Sequence, residues 1–239
     1  MEIWAWIPAR GGSQGIPRKN IRLLDDIPLI VHSIRYAKQF PFITRVLLTT
    51  DDEEIAKIGV EAGAELATDA LRPSYLAGHY TRDIEVLEYL IDWYEKNEGI
   101  LPVWWVQLRP TYPLRSLRVM NDIYGRYMKE NTVAVRTIVK SAHTPLKMYY
   151  KEGGELIPLF EKWGNIIEPN EAPRQLLSQC YWHNGCIDVI RTDIVKQYHT
   201  CCPPGIIGYE MEENETNDID TIDDFTKVSE VIQFEKFLK

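Results

Sequence analysis

The sequence predicts an α/β fold built on a mainly parallel sheet. Short, wholly apolar runs recur along the chain, and helical patterns of about 12 residues separate them, the rhythm of βαβ units. The first run leads directly into a polar stretch bearing three glycines, Gly11, Gly12 and Gly15.

Ile3-Trp4-Ala5-Trp6-Ile7 contains no polar residue, as a strand buried on both faces requires. Pro28 stands at a favourable first-turn position for a helix through Leu29, Val31, Ile34 and Ala37. Val46–Thr50 is a second strand. Asp51 with Glu54 is expected to cap a helix through Ile55, Ile58 and Val60, which Gly63 ends. Ile84, Leu87, Leu90, Ile91 and Tyr94 share one helical face, and Val103–Leu108 is another buried strand. Ser116 is expected to cap a helix carrying Met120, Ile123, Tyr124 and Tyr127. Thr132–Val139, rich in β-branched residues, is a strand.

After Lys140 the rhythm changes. Lys151-Glu152-Gly153-Gly154-Glu155 reads as a hairpin tip, and the stretch from Trp163 to Gln179 is polar and irregular. Strands resume at Cys186–Ile190 and Ile206–Met211. Thr221 with Asp224 then caps a last helix through Phe225, Val228, Val231, Ile232 and Leu238. With no internal repeat and no linker, the expectation is one domain, 1–239, with an inserted arm at about residues 140–180.

Composition narrows the function. The chain has 239 residues, 27 Lys+Arg against 35 Asp+Glu and a net charge of −8, with 45% hydrophobic and 26% charged residues. That is globular composition; it excludes wholesale disorder, collagen and a long coiled coil. An acidic chain lacks the basic face that nucleic acid rewards, so none is expected as partner. No run of about 18 apolar residues suggests a membrane span. Met1–Trp6 has neither the basic region nor the cleavage site of a signal peptide. Cys180, Cys186, Cys201 and Cys202 show no C-x-x-C spacing, which fits reduced thiols in a cytosol. The five histidines form no H-x-x-x-H pair, so zinc is not expected.

The loop Pro8–Gly15 can wrap phosphates with backbone N–H groups, because glycine permits close approach. It is neither a Walker A loop nor G-x-G-x-x-G. The plain alternative is a tight turn. Against that, Arg10, Arg18 and Lys19 place three cations in one loop of an acidic protein, at a strand's carboxyl end, where a polyphosphate binds.

The run Ile7-Pro8-Ala9-Arg10-Gly11-Gly12-Ser13-Gln14-Gly15-Ile16-Pro17-Arg18-Lys19-Asn20 resembles the signature of the acylneuraminate cytidylyltransferases, the CMP-sialic acid synthetases and their relatives. The resemblance continues, in the family's order, at Thr50–Ala56, Arg72-Pro73, Leu76-Ala77, Pro110-Thr111, Pro113-Leu114-Arg115 and Pro145-Leu146-Lys147. It ends with Pro173-Arg174-Gln175, Asn184-Gly185 and Asp218-Ile219-Asp220-Thr221. It implies a three-layer α/β/α, Rossmann-like nucleotidyltransferase with a dimerisation arm.

The implied reaction is attack of an acid sugar's anomeric hydroxyl on the α-phosphorus of CTP, releasing pyrophosphate. Arg10, Gly12, Ser13 and Lys19 would hold the triphosphate, and Asn20, Arg72 and Thr81 the nucleoside. Arg109, Lys147, Arg174 and Gln175 would meet the sugar, with Lys147 and Arg174 on its carboxylate. Asp218 and Asp220 would hold Mg²⁺, and Arg10, Lys19 and Asp220 would carry the chemistry. Two carboxylates at i and i+2 of an extended segment face the same way, which suits a cation that also takes phosphate oxygens and water. Taken without the resemblance, the pair reads as the start of the final helix. The arm implies a homodimer whose subunits complete each other's sugar sites.

The chain departs from the family at Gln14, where Lys is usual, at Arg109 (Gln), Tyr112 (Ser), Trp182 (Arg) and His79 (Asp). Arg109 and Trp182 fall where the resemblance places the sugar or the nucleotide. The nearest alternative is a guanylyl- or other nucleotidyltransferase acting on a sugar phosphate. A dinucleotide-dependent oxidoreductase is disfavoured by the glycine spacing and by Thr49-Thr50, which stand where an acid is needed. A non-catalytic nucleotide-binding module is the third possibility.

Overall fold

The computed structural model describes residues 1–13 and 15–237, so Gln14 and the helical placement of Leu238 lie outside the described residues. One sheet holds seven strands: β1 (Ile3–Pro8), β2 (Arg45–Thr49), β3 (Glu65–Leu66), β4 (Trp104–Gln107), β5 (Ala134–Lys140), β6 (Tyr181–Arg191) and β7 (Ile207–Glu210). Their order is β7-β5-β6-β4-β1-β2-β3. Every pairing is parallel except those of β6, which runs antiparallel to both neighbours.

The helices are α1 (Leu29–Ala37), α2 (Glu53–Glu61), α3 (Asp83–Asn97), α4 (Leu117–Tyr127), α5 (Thr192–Tyr198) and α6 (Ile222–Phe237). Successive side chains of a strand point to opposite faces. Ile3, Ala5 and Ile7 of β1 share a core with Ile30, Ile34, Ile55, Met120 and Ile123, from α1, α2 and α4. Trp4 and Trp6 share the opposite core with Leu87, Leu90, Tyr94 and Val195, from α3 and α5. Helices therefore cover both faces, giving three layers. β1 reads as an unbroken apolar run because neither of its faces meets water. Among the described residues no helix is long and apolar enough to cross a membrane.

A third, smaller core joins the two ends of the chain. Ile16, Leu24 and Leu29 pack with Ile219, Val228 and Ile232, so α6 docks on the segment that follows the glycine loop. The approach is close enough that a Cβ at Gly15 would fall on the carbonyl oxygen of Asp220. Gly15 is thus required by space.

The structure corrects four expectations. Asp52, not Asp51, caps α2: its Oδ1 accepts from the Glu54 and Ile55 N–H groups at 3.0 Å each. Asp51 Oδ1 instead accepts from Gly11 N–H at 2.9 Å. β6 begins at Tyr181 rather than Cys186, because a register shift between His183 and Asp188 breaks the alternation from which strands are read. The stretch from Trp163 onward is not wholly irregular: Lys162–Trp163 pairs with Ile166–Ile167, beside the predicted hairpin of Tyr149–Glu152 with Glu155–Pro158. Finally, Arg18 does not join Arg10 and Lys19. With φ at 56° it turns towards α2, where its guanidinium pairs with Asp52 and Glu54.

Candidate active site

β1 has β4 on one side and β2 on the other, and the loops leaving their carboxyl ends part around a cleft of about 640 Å³. A parallel sheet binds ligands at such a switch in strand order. Arg10, Ser13, Lys19, Asn20, Arg72, Thr81, Arg109, Asp218 and Asp220 all line this cleft. Residues distant in the sequence are thereby brought together.

Each is held by an identifiable contact. Arg10 Nη1 donates to the Gly78 carbonyl at 3.0 Å, and Asn20 Nδ2 to the Arg10 carbonyl at 2.9 Å. Lys19 Nζ donates to the Ile219 carbonyl at 2.8 Å and to Asp220 Oδ1 at 3.1 Å. Arg72 is buried and donates through Nη2 to Thr49 Oγ1 at 2.9 Å. Burial pushes its guanidinium down to about 10, against the opposing pull of Asp51 and Asp83. Thr81 Oγ1 donates to the Tyr75 carbonyl at 3.3 Å.

The glycine loop does not offer all its N–H groups to a ligand. Gly11 N–H is committed to Asp51, and Ser13 N–H to the Gly11 carbonyl at 3.0 Å. Among the described residues of the loop, the side chains of Arg10, Ser13 and Lys19 line the cleft, with Gly15 beside them. Gly12 is not among the lining residues.

Arg109 lines the cleft with its charge already matched. Its Nη2 donates to Asp83 Oδ2 at 2.7 Å and its Nη1 to Asp188 Oδ2 at 2.8 Å. Asp188 also accepts from Arg136 Nε and faces His183 Nε2, each at 3.0 Å. Burial by itself would raise the Asp188 carboxyl, but His183, Arg109 and Arg136 hold it well below the usual carboxylate range. The sequence reading missed Asp83 and Asp188. Asp83 carries no signal beyond an acid in a helix's first turn. Asp188 does: it is the only charged residue in Cys186–Ile190, and a lone buried carboxylate needs partners.

The acid pair meets a simple test for a divalent cation. Asp218 Oδ1 is buried without a hydrogen-bond partner among the described residues. Burial raises the Asp218 carboxyl and Asp220 adds to this, opposed by Thr111, Lys19 and Arg109. An unpartnered buried carboxylate oxygen beside a second carboxylate fits Mg²⁺, which takes few protein ligands. Among the described residues no cluster of three or more His, Cys, Asp or Glu side chains could hold a metal.

Lys147 and Arg174 lie elsewhere. They line a separate cavity of about 350 Å³ in the arm, with Ala142, His143, Thr144 and Met148. Lys147 Nζ donates to the Asn170 carbonyl at 3.2 Å and Arg174 Nη2 to the Ala142 carbonyl at 3.0 Å. Gln175 follows in the short turn Arg174–Leu176 and is not among the lining residues of either cavity.

The sequence pattern of the Cytidylyltransferase family matches residues 5–144. The chain is 28% identical to post-translational flagellin modification protein B of Campylobacter coli over 243 residues, covering 100% of this chain and 97% of that one. It is 37% identical to the CMP-N,N'-diacetyllegionaminic acid synthase of Legionella pneumophila over 172 residues, 71% of this chain and 67% of the other. It spans about half the length (51%) of the N-acylneuraminate cytidylyltransferases of Streptococcus agalactiae that it matches. Among solved structures, CMP:2-keto-3-deoxy-manno-octonic acid synthetase complexed with CTP superposes with a TM-score of 0.67 at 15% identity, covering 98% and 100% of the two chains, a likeness of fold. The match over more than half of the chain, set beside the cleft's cations and acid pair, places this protein in the cytidylyltransferase family of nucleotidyltransferases.

Proposed function

We propose that this enzyme joins CTP to a nonulosonic acid sugar, giving a CMP-sugar and pyrophosphate. The observation that carries the reading is the convergence of Arg10, Ser13 and Lys19 with Asp218 and Asp220 on one cleft. The names of the legionaminic acid and N-acylneuraminate relatives supply the sugar class.

The sugar's anomeric oxygen bonds to the α-phosphorus, the bond from that phosphorus to the oxygen bridging the β-phosphorus breaks so that pyrophosphate leaves, and the hydroxyl proton is released to solvent. Lys19 and Arg10 bind the phosphates, and Asn20, Arg72 and Thr81 hold the nucleoside. Asp218 and Asp220 would hold Mg²⁺, which when bound neutralises triphosphate charge. Positioning and preorganised charge do the remaining work. Arg109, already paired with Asp83 and Asp188, shapes the cleft wall towards the sugar.

Lys147 and Arg174 take the sugar carboxylate, Arg174 with Gln175 beside it. Because their cavity is separate from the cleft, they serve the site of a second copy in a homodimer. Leu156, Trp163, Ile167 and Leu176 leave an exposed apolar surface on the arm that a partner copy covers. The free cysteines fit a cytosolic enzyme.

The test is pyrophosphate release across four nucleoside triphosphates with a panel of nonulosonic acids and sugar phosphates. Turnover with CTP and an acid sugar is expected. Preference for a sugar phosphate, or for GTP, would replace this reading with a guanylyltransferase-like one.

A further inference from the structure

We infer that Asp51 is a positioning residue for nucleotide binding, fixing Gly11 from behind the phosphate loop; this rests on the cytidylyltransferase reading above. β1 and β2 are adjacent and parallel, with Pro8 opposite Thr49. Their loops therefore leave the sheet side by side, and Gly11 meets the residues that follow Thr50.

Two consecutive carboxylates hold that one glycine. Asp51 Oδ1 accepts its N–H at 2.9 Å. Asp52 packs against its Cα, where a Cβ would lie 2.9 Å from Asp52 Oδ2 and 3.0 Å from Asp52 Cβ. Asp52 already caps α2 and pairs with Arg18, so the helix start does not need Asp51. Nor is Asp51 a cleft-lining residue. Its carboxylate instead orients the loop segment that carries Arg10 and Ser13, which do line the cleft.

Asp51 also supports the charge of Arg72. Arg72 N–H donates to the Thr50 carbonyl at 2.7 Å, which sets this buried side chain beside the same turn. Burial works against the guanidinium's charge, and Asp51 is the first of the groups that support it. An acid near a triphosphate ordinarily repels it. Here the negative charge is already engaged by a backbone donor before any ligand arrives.

Two variants separate these roles from mere structure. Asp51→Ala removes acceptor and charge; Asp51→Asn keeps an acceptor oxygen for Gly11. CTP affinity is measured by calorimetry, and amide exchange of residues 9–13 is followed in the ligand-free protein. Asp51→Ala should weaken CTP by about 10-fold or more, as for losing a charge-assisted hydrogen bond in a site, and should speed exchange at Gly11. Asp51→Asn should restore slow exchange and recover most of the affinity. If Asp51→Ala does not fold, Asp51→Glu, which displaces the carboxylate by one methylene, must show the same loosening and weaker CTP. Unchanged CTP affinity in a wild-type background that binds CTP overturns the role of Asp51 alone, as does an Asn variant no better than Ala. A wild type that binds no CTP overturns the cytidylyltransferase reading and this inference with it.

Discussion

Lys19 Nζ and Asp220 Oδ1 lie 3.1 Å apart although 201 positions separate the residues. The Lys19 side chain is 11% exposed and that of Asp220 is 73% exposed, so a sheltered cation holds an acid that remains open to ligand. The core of Ile16, Leu24 and Leu29 with Ile219, Val228 and Ile232 keeps the two segments together. The glycine loop and the acid pair are therefore one unit.

Lys19→Ala should damage both binding and folding. A lysine in a polar loop suggests an exposed side chain with little part in stability, but Lys19 is buried and satisfies the Ile219 carbonyl. Its removal should cost about 1–3 kcal/mol of stability and raise the KM for CTP by about 10-fold or more. Denaturant unfolding and steady-state kinetics on the same preparation check both. Full nucleotide affinity in the folded fraction would make the lysine purely structural.

Asp218 and Asp220 should separate when each is neutralised. Burial raises the Asp218 carboxyl, so the native state favours its protonated form. Stability from this group is present below its unfolded pKa and is lost as pH rises through the folded one. At neutral pH, Asp218→Asn should therefore raise the melting temperature of the metal-free protein. Asp220→Asn should leave it nearly unchanged, because an exposed pair contributes little. Both should lower kcat by on the order of 100-fold, as for losing a charge-stabilising element, and both should lose the stabilisation that added Mg²⁺ gives the wild type. Thermal scans with and without Mg²⁺ provide the readout. Near-normal kcat in both variants would return the pair to a helix-capping role.

Much of this site was legible in the sequence for a physical reason. β1 is buried on both faces, so its apolar run marks itself, and the polar loop after it marks the carboxyl edge where ligands bind. Arg10, Ser13, Lys19, Asn20, Arg72, Thr81 and the acid pair were identified as candidates, and one cleft contains them all. What was not legible depends on contacts that periodicity does not encode. Asp51 and Asp52 are both plausible caps, and only the position of Gly11 in the loop after the neighbouring strand decides between them. Arg18 stands one residue from Lys19, yet its positive φ sends it the other way. Arg109 and Asp188 are 79 positions apart, and their pairing requires β6 to lie beside β4.

That pairing makes Asp188→Asn a stability variant. It removes the charge facing Arg109 and Arg136 in a buried setting, and breaking a buried ion pair on one side costs about 3–5 kcal/mol. The native carboxyl is held below its ordinary range. Its contribution is thus present above the unfolded value of about 3.9 and is lost as pH falls below it. Wild type should lose more stability than Asp188→Asn between pH 5 and 3, pH values chosen about 1 unit either side of that unfolded value. Urea midpoints at the two pH values measure the difference, and parallel losses would show that another carboxylate governs acid sensitivity.

The arm offers the test of the proposed acid sugar. Lys147 and Arg174 share a cavity outside the cleft, each with a single backbone carbonyl as hydrogen-bond acceptor among the described residues. Such cations retain donors for a carboxylate, and charge-assisted hydrogen bonds to one are worth about 1.5–3 kcal/mol each. Lys147→Ala should therefore raise the sugar KM by about 10-fold or more while the CTP KM stays nearly constant. Arg174→Lys keeps the charge but loses the planar fork, and it should still be costly. If a second copy supplies these groups, an equimolar mixture of Arg174→Lys with the cleft variant Lys19→Ala should recover activity. One subunit's intact arm would then serve the other's intact cleft. Analytical ultracentrifugation establishes whether the copies associate, and the mixing assay whether they share a site. A sugar KM unmoved in both arm variants, or a better substrate lacking any carboxylate, would remove the acid sugar from the reaction. Raised sugar KM values without recovery on mixing would keep the sugar and place the arm against its own cleft.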